Sequence, residues 1–163
     1  MSKARTHARA IVYGSTKTYS ASIGLSAAFR QHLAVSHCNQ LHGYSIEVVA
    51  TFEANELDHR NWVMDFGGLK SFKSWLESMF DHTVLIAEDD PFLDAFRKLA
   101  EQRVIALRVI DASGCEAMAL MIFEFLERHI LSLEGTRVRV VRVEVKEHGA
   151  NSAYVRLRHP SEN

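Results

Sequence analysis

Apolar and polar residues alternate along two segments in the first third of the chain. The alternation runs over Thr18–Phe29 and again over His42–Phe52, so each segment presents one apolar face. A period of two residues is typical of half-buried strands. Two more strands are predicted near the end of the chain, over Thr136–Glu147 and Ser152–Arg158, where a glycine-containing connection favours a hairpin.

Apolar residues at helical spacing predict two helices between these pairs of strands. The first helix follows Asp65, whose carboxylate suits an N-cap position. The second is predicted over Glu116–Leu131, because Ser113 and Glu116 have the spacing of a capping box. In this interpretation the main role of Glu116 is to cap the helix.

The stretch between the two helices gives weaker signals. A short helix is predicted over Asp90–Gln102 and a short strand over Val104–Val109. Paired strands with helices between the pairs indicate an α+β fold, in which an antiparallel sheet carries helices on one face. The length of 163 residues suits one domain over 1–163, with a flexible N-terminal tail over 1–15.

Composition narrows the class of protein. The formal net charge of −1 gives no basic surplus for nucleic acid, and no apolar run approaches the roughly 20 residues of a membrane span. Two cysteines are too few for a disulfide framework, and no apolar segment follows the basic N-terminus as in a signal peptide. We therefore expect a cytoplasmic protein with reduced thiols that binds neither nucleic acid nor membrane.

One short segment concentrates the side chains that carry chemistry. His37, Cys38 and His42 lie within six residues, immediately before and at the start of the second strand. A neighbouring imidazolium or metal converts a thiol into a base, and imidazoles bind metals and carry protons. A buried thiol without chemical function and a hydrogen-bonded core histidine are the alternatives, and the residues alone leave them open.

Asp81 and His82 form a second candidate, directly after the first helix. A carboxylate orients an imidazole for proton transfer when a turn brings both into one pocket. Adjacent residues on a strand would point apart, so the pair needs that turn. A solvated polar turn without catalytic function is the alternative.

Glu147 continues an apolar row. Alternation places it on one strand face with Val141, Val143 and Val145, so its carboxylate points inward and needs N–H donors. The alternative is that the strand has ended and the carboxylate is solvated. Cys115 lies at a helix N-terminus, where the helix dipole favours a thiolate.

Six segments in the same order make the chain resemble the 6-pyruvoyl-tetrahydropterin synthase and 6-carboxytetrahydropterin synthase family. They span nearly the whole chain, and their order is more specific than any one of them. The segments are Leu25–Phe29, Cys38–Tyr44, Val63–Lys70, Phe80–His82, Cys115–Glu116 and Val145–Glu147.

The resemblance implies the tunnelling fold, a four-stranded antiparallel sheet with two main helices packed on one face. It also implies a homo-oligomeric barrel, commonly a hexamer of two trimers, with active sites between subunits. By the same resemblance Cys38 is the catalytic base, and Asp81 with His82 is the proton-transfer pair. Glu147 anchors the pterin ring, with Glu116 and Cys115 near the substrate.

The zinc site is where the chain departs from this pattern. The family takes one ligand from a histidine at the end of the first strand and two from a His-Gly-His. Phe29 and Tyr44 stand at the first and third of these positions, so His42 alone is retained. Either other residues complete the zinc site or the metal is lost and the chemistry changes. The residues that could replace the missing zinc ligands are His32, His37, Cys38 and Tyr44.

The resemblance implies a lyase that acts on the side chain of 7,8-dihydroneopterin triphosphate. The expected reaction is of the 6-carboxytetrahydropterin synthase type, in 7-deazapurine (queuosine) biosynthesis, or of the 6-pyruvoyl-tetrahydropterin synthase type. One alternative is a divergent pterin- or purine-binding protein, or an enzyme with a changed reaction, whose zinc site is altered or absent. Another is an interaction protein that keeps only the oligomeric scaffold.

Overall fold

The computed structural model describes residues 11–158, in which eight strands and three α-helices are assigned. Short 3-10 helices lie at Ala21–Ile23, His37–Asn39 and Phe66–Leu69. The strands are β1 Tyr13–Tyr19, β2 Ser26–Phe29, β3 His42–Ser45, β4 Glu47–Ala54, β5 Thr83–Ala87, β6 Leu107–Ile110, β7 Val138–His148 and β8 Asn151–Arg156. The helices are α1 Lys70–Phe80, α2 Leu93–Glu101 and α3 Cys115–Glu134.

The main sheet has the strand order β1-β4-β7-β8, and every neighbouring pair is antiparallel. Helices α1 and α3 share one apolar core with this sheet, and Trp75 of α1 stacks on Phe125 of α3 with ring centroids 4.0 Å apart. This confirms the predicted four-stranded antiparallel sheet with two main helices. Fully buried members of the core include Val48, Phe52, Phe72, Leu76, Ile122, Leu126, Val143 and Val145.

A second sheet, which the pattern did not predict, has the order β3-β2-β5-β6. Strands β2 and β5 pair in parallel, and so do β5 and β6. All five residues of β5 are buried, so the strand lacks the alternation that indicates a half-exposed strand. Helix α2 and strand β6 lie close to their predicted ranges. Within residues 11–158, no helix combines the length and apolar character needed to cross a bilayer.

Both of the predicted N-terminal strands are divided between the two sheets. Residues 18–29 do not form one strand, because Gly24 adopts a left-handed φ of 84° and separates β1 from β2. The second predicted strand breaks at Ile46 into β3 and β4. The tail predicted over 1–15 was too long, since β1 already pairs with β4 from Tyr13 onward. Residues 1–10 of that tail lie outside the described residues.

The two predicted helix caps have different outcomes. Asp65 is confirmed, because its Oδ1 accepts a hydrogen bond from the Gly67 amide at 2.8 Å. The capping box was wrong: α3 begins after Gly114, whose φ of 110° turns Ser113 out of the helix. The Ser113 hydroxyl instead donates to the Arg30 carbonyl at 2.6 Å. Glu116 is therefore an exposed side chain of the first turn and does not cap the helix with Ser113.

Two irregularities in β7 determine which of its side chains face the core. Val141 has no partner in β4, because Thr51 pairs with Arg142 and Phe52 with Val140. Val141 is therefore half-buried and does not share the fully buried row of Val143 and Val145, contrary to the prediction. A second irregularity lies at Glu147, since Lys146 and His148 pair with consecutive residues of β8. Such bulges redirect the side chain at their position.

Candidate active site

Cys38 lies on the connection between β2 and β3, within the 3-10 helix His37–Asn39. The Ser36 hydroxyl accepts from the Cys38 amide at 3.4 Å, and the Cys38 carbonyl accepts from the Gln31 amide at 2.9 Å. The thiol is free and half-buried. These two backbone bonds fix the segment that carries the thiol, while the partial exposure leaves it accessible.

Arg30 ties this connection to the rest of the fold. Its Nε donates to the Asn39 carbonyl at 2.7 Å, and its Nη1 lies 3.1 Å from Oδ1 of Asp90, whose side chain is fully buried. The Arg30 carbonyl accepts a hydrogen bond from the Ser113 hydroxyl. Arg30 therefore joins the residue next to Cys38 to the segment that precedes α3. Sequence reasoning missed it, because no local pattern marks the distant Asp90 as its partner.

Three predicted substrate-binding residues come together at the start of α3. Cys115, a residue 7% exposed, lies close to the carboxylate of Glu147. Burial, together with the negative charges of Glu147 and Glu116, raises the pKa of the Cys115 thiol to about 12. The thiol is therefore protonated at neutral pH, so the predicted thiolate at this helix end was wrong. We call Cys115, Glu116 and Glu147 the thiol–carboxylate cluster.

The three positions that correspond to the family's zinc ligands are also neighbours. Phe29 pairs with His42 across β2 and β3, and Tyr44 lies two pairs further along, opposite Ala27. The ring centroid of His42 is 4.8 Å from that of Phe29 and 5.7 Å from that of Tyr44. His148, at the end of β7, adds a fourth ring 5.5 Å from Tyr44. We call Phe29, His42, Tyr44 and His148 the aromatic cluster.

Hydrogen bonding defines the tautomer of His42. Its Nδ1 lies 2.7 Å from the carbonyl oxygen of Gln40, which only accepts, so Nδ1 carries the proton. In the neutral ring Nε2 then holds a lone pair. That lone pair is able to accept a proton or bind a cation, as expected for a histidine of a functional site.

Two of the predicted replacement ligands, His32 and His37, do not join His42. His32 is directed elsewhere, with its Nε2 3.6 Å from Asp89 Oδ1 and its Nδ1 3.9 Å from Asp90 Oδ2. His37 is exposed on the 3-10 helix beside Cys38. Among residues 11–158, no three or more His, Cys, Asp or Glu side chains form a group that could hold a metal ion. The ligand set of His42, His37 and His32 is therefore not assembled.

Asp81 and His82 form the predicted pair through the turn that it requires. His82 adopts a left-handed φ of 54°, and its Nδ1 lies 2.5 Å from Asp81 Oδ1. The His82 side chain is 87% exposed, and the Asp81 side chain is 42% exposed. Histidine is among the residue types that adopt this backbone region more readily, and Asn61 and Arg103 also adopt it.

Cys38 and His82 lie at opposite ends of β2. Parallel pairing puts Thr83 beside Ala27, so His82 lies near the start of β2. The Cys38 carbonyl bonds to Gln31, which lies beyond the end of that strand. His82 is level with Ser26 and Cys38 with Gln31, five residues further on, which is about 16 Å of extended chain. The Cys38 segment and the Asp81–His82 pair of one chain therefore lie toward opposite ends of β2.

Comparisons with known proteins agree with this architecture. The chain is 29% identical over 135 residues to the 6-carboxy-5,6,7,8-tetrahydropterin synthase of Aquifex aeolicus, covering 80% of this chain and 82% of that protein. It is 27% identical over 131 residues to a probable 6-carboxy-5,6,7,8-tetrahydropterin synthase of Halobacterium salinarum, covering 80% and 81%.

Solved structures show the same fold at lower identity. An uncharacterized protein from Wolinella succinogenes superposes with a TM-score of 0.76 at 21% identity, over 91% of this chain and 99% of that one. A catalytic-residue variant of Plasmodium vivax 6-pyruvoyltetrahydropterin synthase gives a TM-score of 0.64 at 20% identity, over 89% and 97%. The profile of the 6-pyruvoyl tetrahydropterin synthase family matches residues 18–158, and the chain belongs to that family.

Proposed function

We propose that this protein is a carbon–oxygen lyase that acts on 7,8-dihydroneopterin triphosphate. The observation that carries the proposal is the position of Glu147. This residue lies at the irregularity near the end of β7, and its carboxylate lies close to Cys115 at the start of α3. A carboxylate held inward at a strand end needs N–H donors. The edge of a pterin ring offers them as a 2-amino group and an adjacent ring N–H.

Recognition of the ring is assigned to the thiol–carboxylate cluster. Glu147 accepts the two N–H groups of the ring in a bidentate manner, which gives both affinity and orientation. In this proposal the protonated Cys115 thiol donates to Glu147, so it positions the carboxylate and adds no charge. Glu116, exposed in the first turn of α3, provides a second acceptor for polar groups of the substrate.

Cys38 acts as the base on the substrate side chain. It removes a carbon-bound proton, the C–H electron pair forms a carbon–carbon double bond, and the C–O bond to the triphosphate breaks. The proton is taken up by the thiolate, and triphosphate leaves with the C–O electron pair. The Arg30–Asn39 bond next to Cys38 holds the thiol segment in place during this step.

Asp81 and His82 come from a neighbouring subunit. The separation along the chain between His82, level with Ser26, and Cys38, level with Gln31, is about 16 Å and supports a shared site. Homo-oligomers are usually closed and symmetric, so each subunit would give its pair to one neighbour and receive one from another. Mixing and refolding Cys38→Ala with His82→Ala chains tests this. A mixture more active than either variant supports shared sites, and no gain contradicts them.

No step is assigned to zinc, since the residues at the corresponding positions do not form a ligand set. We expect the product to be of the 6-carboxytetrahydropterin type, within 7-deazapurine (queuosine) biosynthesis, because curated relatives that resemble this chain carry that name. The free thiols of Cys38 and Cys115 support a cytoplasmic location.

Product analysis tests the proposal. The purified protein is incubated with 7,8-dihydroneopterin triphosphate, and the pterin products are identified by mass spectrometry. We expect a 6-carboxytetrahydropterin, formed when a further C–C cleavage releases the two outer side-chain carbons as an aldehyde, whereas a 6-pyruvoyl product, which keeps all three carbons, would reassign the reaction within the same family. Recovery of unchanged substrate at high enzyme concentration would contradict the lyase assignment.

A further inference from the structure

The aromatic cluster occupies the place where the resemblance puts a zinc ion. Phe29 is fully buried, and its ring lies 4.8 Å from that of His42 and 6.2 Å from that of Tyr44. The first ligand position is therefore filled by an apolar ring in close packing with the one histidine that is retained. Phe29 belongs to the main hydrophobic core, and Tyr44 packs against that core.

The chemistry of the cluster does not fit zinc. Zinc in proteins takes about three or four ligands from cysteine, histidine and acidic side chains, and a phenyl ring supplies none. Tyr44 is not among these usual ligand types either. His42 and His148 lie 5.7 Å and 5.5 Å from the Tyr44 ring, centroid to centroid, and give at most two imidazoles. The described part of the chain gathers no third His, Cys, Asp or Glu around them.

The cluster offers hydrogen bonds where zinc would offer a positive charge. Tyr44 is half-buried, and its hydroxyl is able to donate one hydrogen bond and accept others. His42 presents a lone pair on Nε2, because Gln40 holds the proton on Nδ1. Together they form a donor and an acceptor on one strand, two residues apart and on the same face. This arrangement matches a ligand that carries neighbouring hydroxyl or keto oxygens.

We propose that this protein binds the side-chain oxygens of its substrate through Tyr44 and His42 and does not use a zinc ion at this position. The proposal rests on the lyase assignment for the identity of those oxygens. The part of the proposal that concerns zinc does not depend on turnover. Tyr44 donates to the oxygen on which negative charge develops, and His42 accepts from the neighbouring hydroxyl. Tyr44 and Phe29 are then the residues that distinguish this site from a zinc site.

Metal content is the first test. The protein, purified without chelator, is analysed by mass spectrometry for bound metals and titrated with zinc alone by calorimetry. We expect less than about 0.1 zinc per chain and no tight site, in contrast to about one per chain for a built site. About one tightly bound zinc per chain that disappears in a His42→Ala variant would overturn the proposal, whether or not the protein turns over pterin.

Rebuilding the ligand set is the second test. A Phe29→His/Tyr44→His variant carries three histidines at the three positions, so we expect it to bind about one zinc per chain. Circular dichroism checks its fold. If burial of a histidine at position 29 prevents folding, the Tyr44→His variant, with His148 nearby, is used instead and is expected to bind zinc more tightly than the native chain. Zinc binding by the native chain equal to that of the variant contradicts the proposal.

The role of Tyr44 is tested by a conservative variant. Tyr44→Phe removes one hydroxyl and leaves the ring packing, so we expect kcat to fall about tenfold or more. Pterin affinity should stay constant, because the ring is held at Glu147. Full turnover in Tyr44→Phe would overturn the proposed contact. If the native protein has no turnover at all, the lyase assignment fails, and the zinc measurements still decide the metal part.

Discussion

The thiol–carboxylate cluster and the aromatic cluster lie at neighbouring strand ends and are built from opposite kinds of side chain. In the first, Glu147 and Glu116 both lie near enough to Cys115 to raise the pKa of its thiol. In the second, rings of Phe29, His42, Tyr44 and His148 pack together. The first contains the residues to which the resemblance assigns pterin recognition, and the second has Phe29 and Tyr44 at two of the three positions where the resemblance places zinc ligands.

This difference shows that recognition and chemistry are separable parts of one fold. The inward carboxylate depends on the strand alternation and on the bulge at Glu147, which many sequences are able to maintain. A zinc site depends on three side chains at once, so two substitutions remove it. Family membership therefore supports the pterin assignment for this chain more strongly than it supports a metal.

The largest effect is expected at Cys38. A Cys38→Ala variant removes the proposed base, so kcat should fall by a factor of about 10² to 10⁴. Pterin affinity, measured by fluorescence titration, should hardly change because the thiol does not hold the ring. Full kcat in this variant would show that the base lies elsewhere.

Glu147→Gln is expected to affect binding and turnover together. Each hydrogen bond to a charged group contributes about 1.5–3 kcal/mol, so loss of the bidentate contact should lower kcat/KM about 100-fold or more. Glu144→Gln is the matched control on the same strand, where Glu144 pairs with Arg142 at 2.9 Å and with Ser152. Equal losses in the two variants would argue against a specific pterin contact at Glu147.

The Arg30→Lys variant loosens the segment that carries Cys38 and leaves the residues of both clusters unchanged. Lysine keeps a positive charge near Asp90 but loses the Nε bond to Asn39, so we expect kcat to fall about tenfold at constant KM. Arg60→Lys, in an exposed ion pair with Asp58 and Asp65, is the control and should keep full activity. A raised KM with unchanged kcat would assign Arg30 to substrate binding.

The smallest effect concerns stability at alkaline pH. The pKa of the Cys115 thiol rises from 9.0 to about 12 on folding, so both states hold the proton below pH 9 and only the folded state holds it above. Stability then falls between about pH 9 and 12, by at most about 1.4 kcal/mol per pH unit from this group. The Cys115→Ser variant removes that loss. Its free energy of unfolding, measured with urea from pH 7 to 10.5, should therefore depend less on pH than that of the native protein. Identical curves would contradict a buried, protonated thiol.

Sequence patterns predicted the parts of the molecule whose signals are local. The alternation in β4, β7 and β8 reflects a sheet with one buried face, and helical spacing after Asp65 gave α1, whereas only Thr18 and Tyr19 of β1 fell within a predicted strand. The inward direction of Glu147 was inferred from the same alternation, and the structure places this residue, half-buried, at an irregularity of β7 close to Cys115. These features depend on residues close together in the chain, so one sequence is sufficient.

The parts that were missed depend on contacts distant in sequence. Strand β5 is buried on both faces by parallel neighbours, which gives no alternation to detect. The bond from Arg30 to Asp90 joins residues 60 positions apart, and neither residue is unusual in its local context. The capping box failed because a single backbone angle at Gly114 directed Ser113 to Arg30.

The most direct test of the lyase assignment is release of triphosphate from 7,8-dihydroneopterin triphosphate. Native protein and Cys38→Ala are compared at equal concentration, in buffer without added metal and again with added zinc. We expect the native protein to release triphosphate at the same rate in both buffers and the variant to release it at least about 100-fold more slowly. Absence of release by the native protein in both buffers, with pterin still bound, would contradict the account.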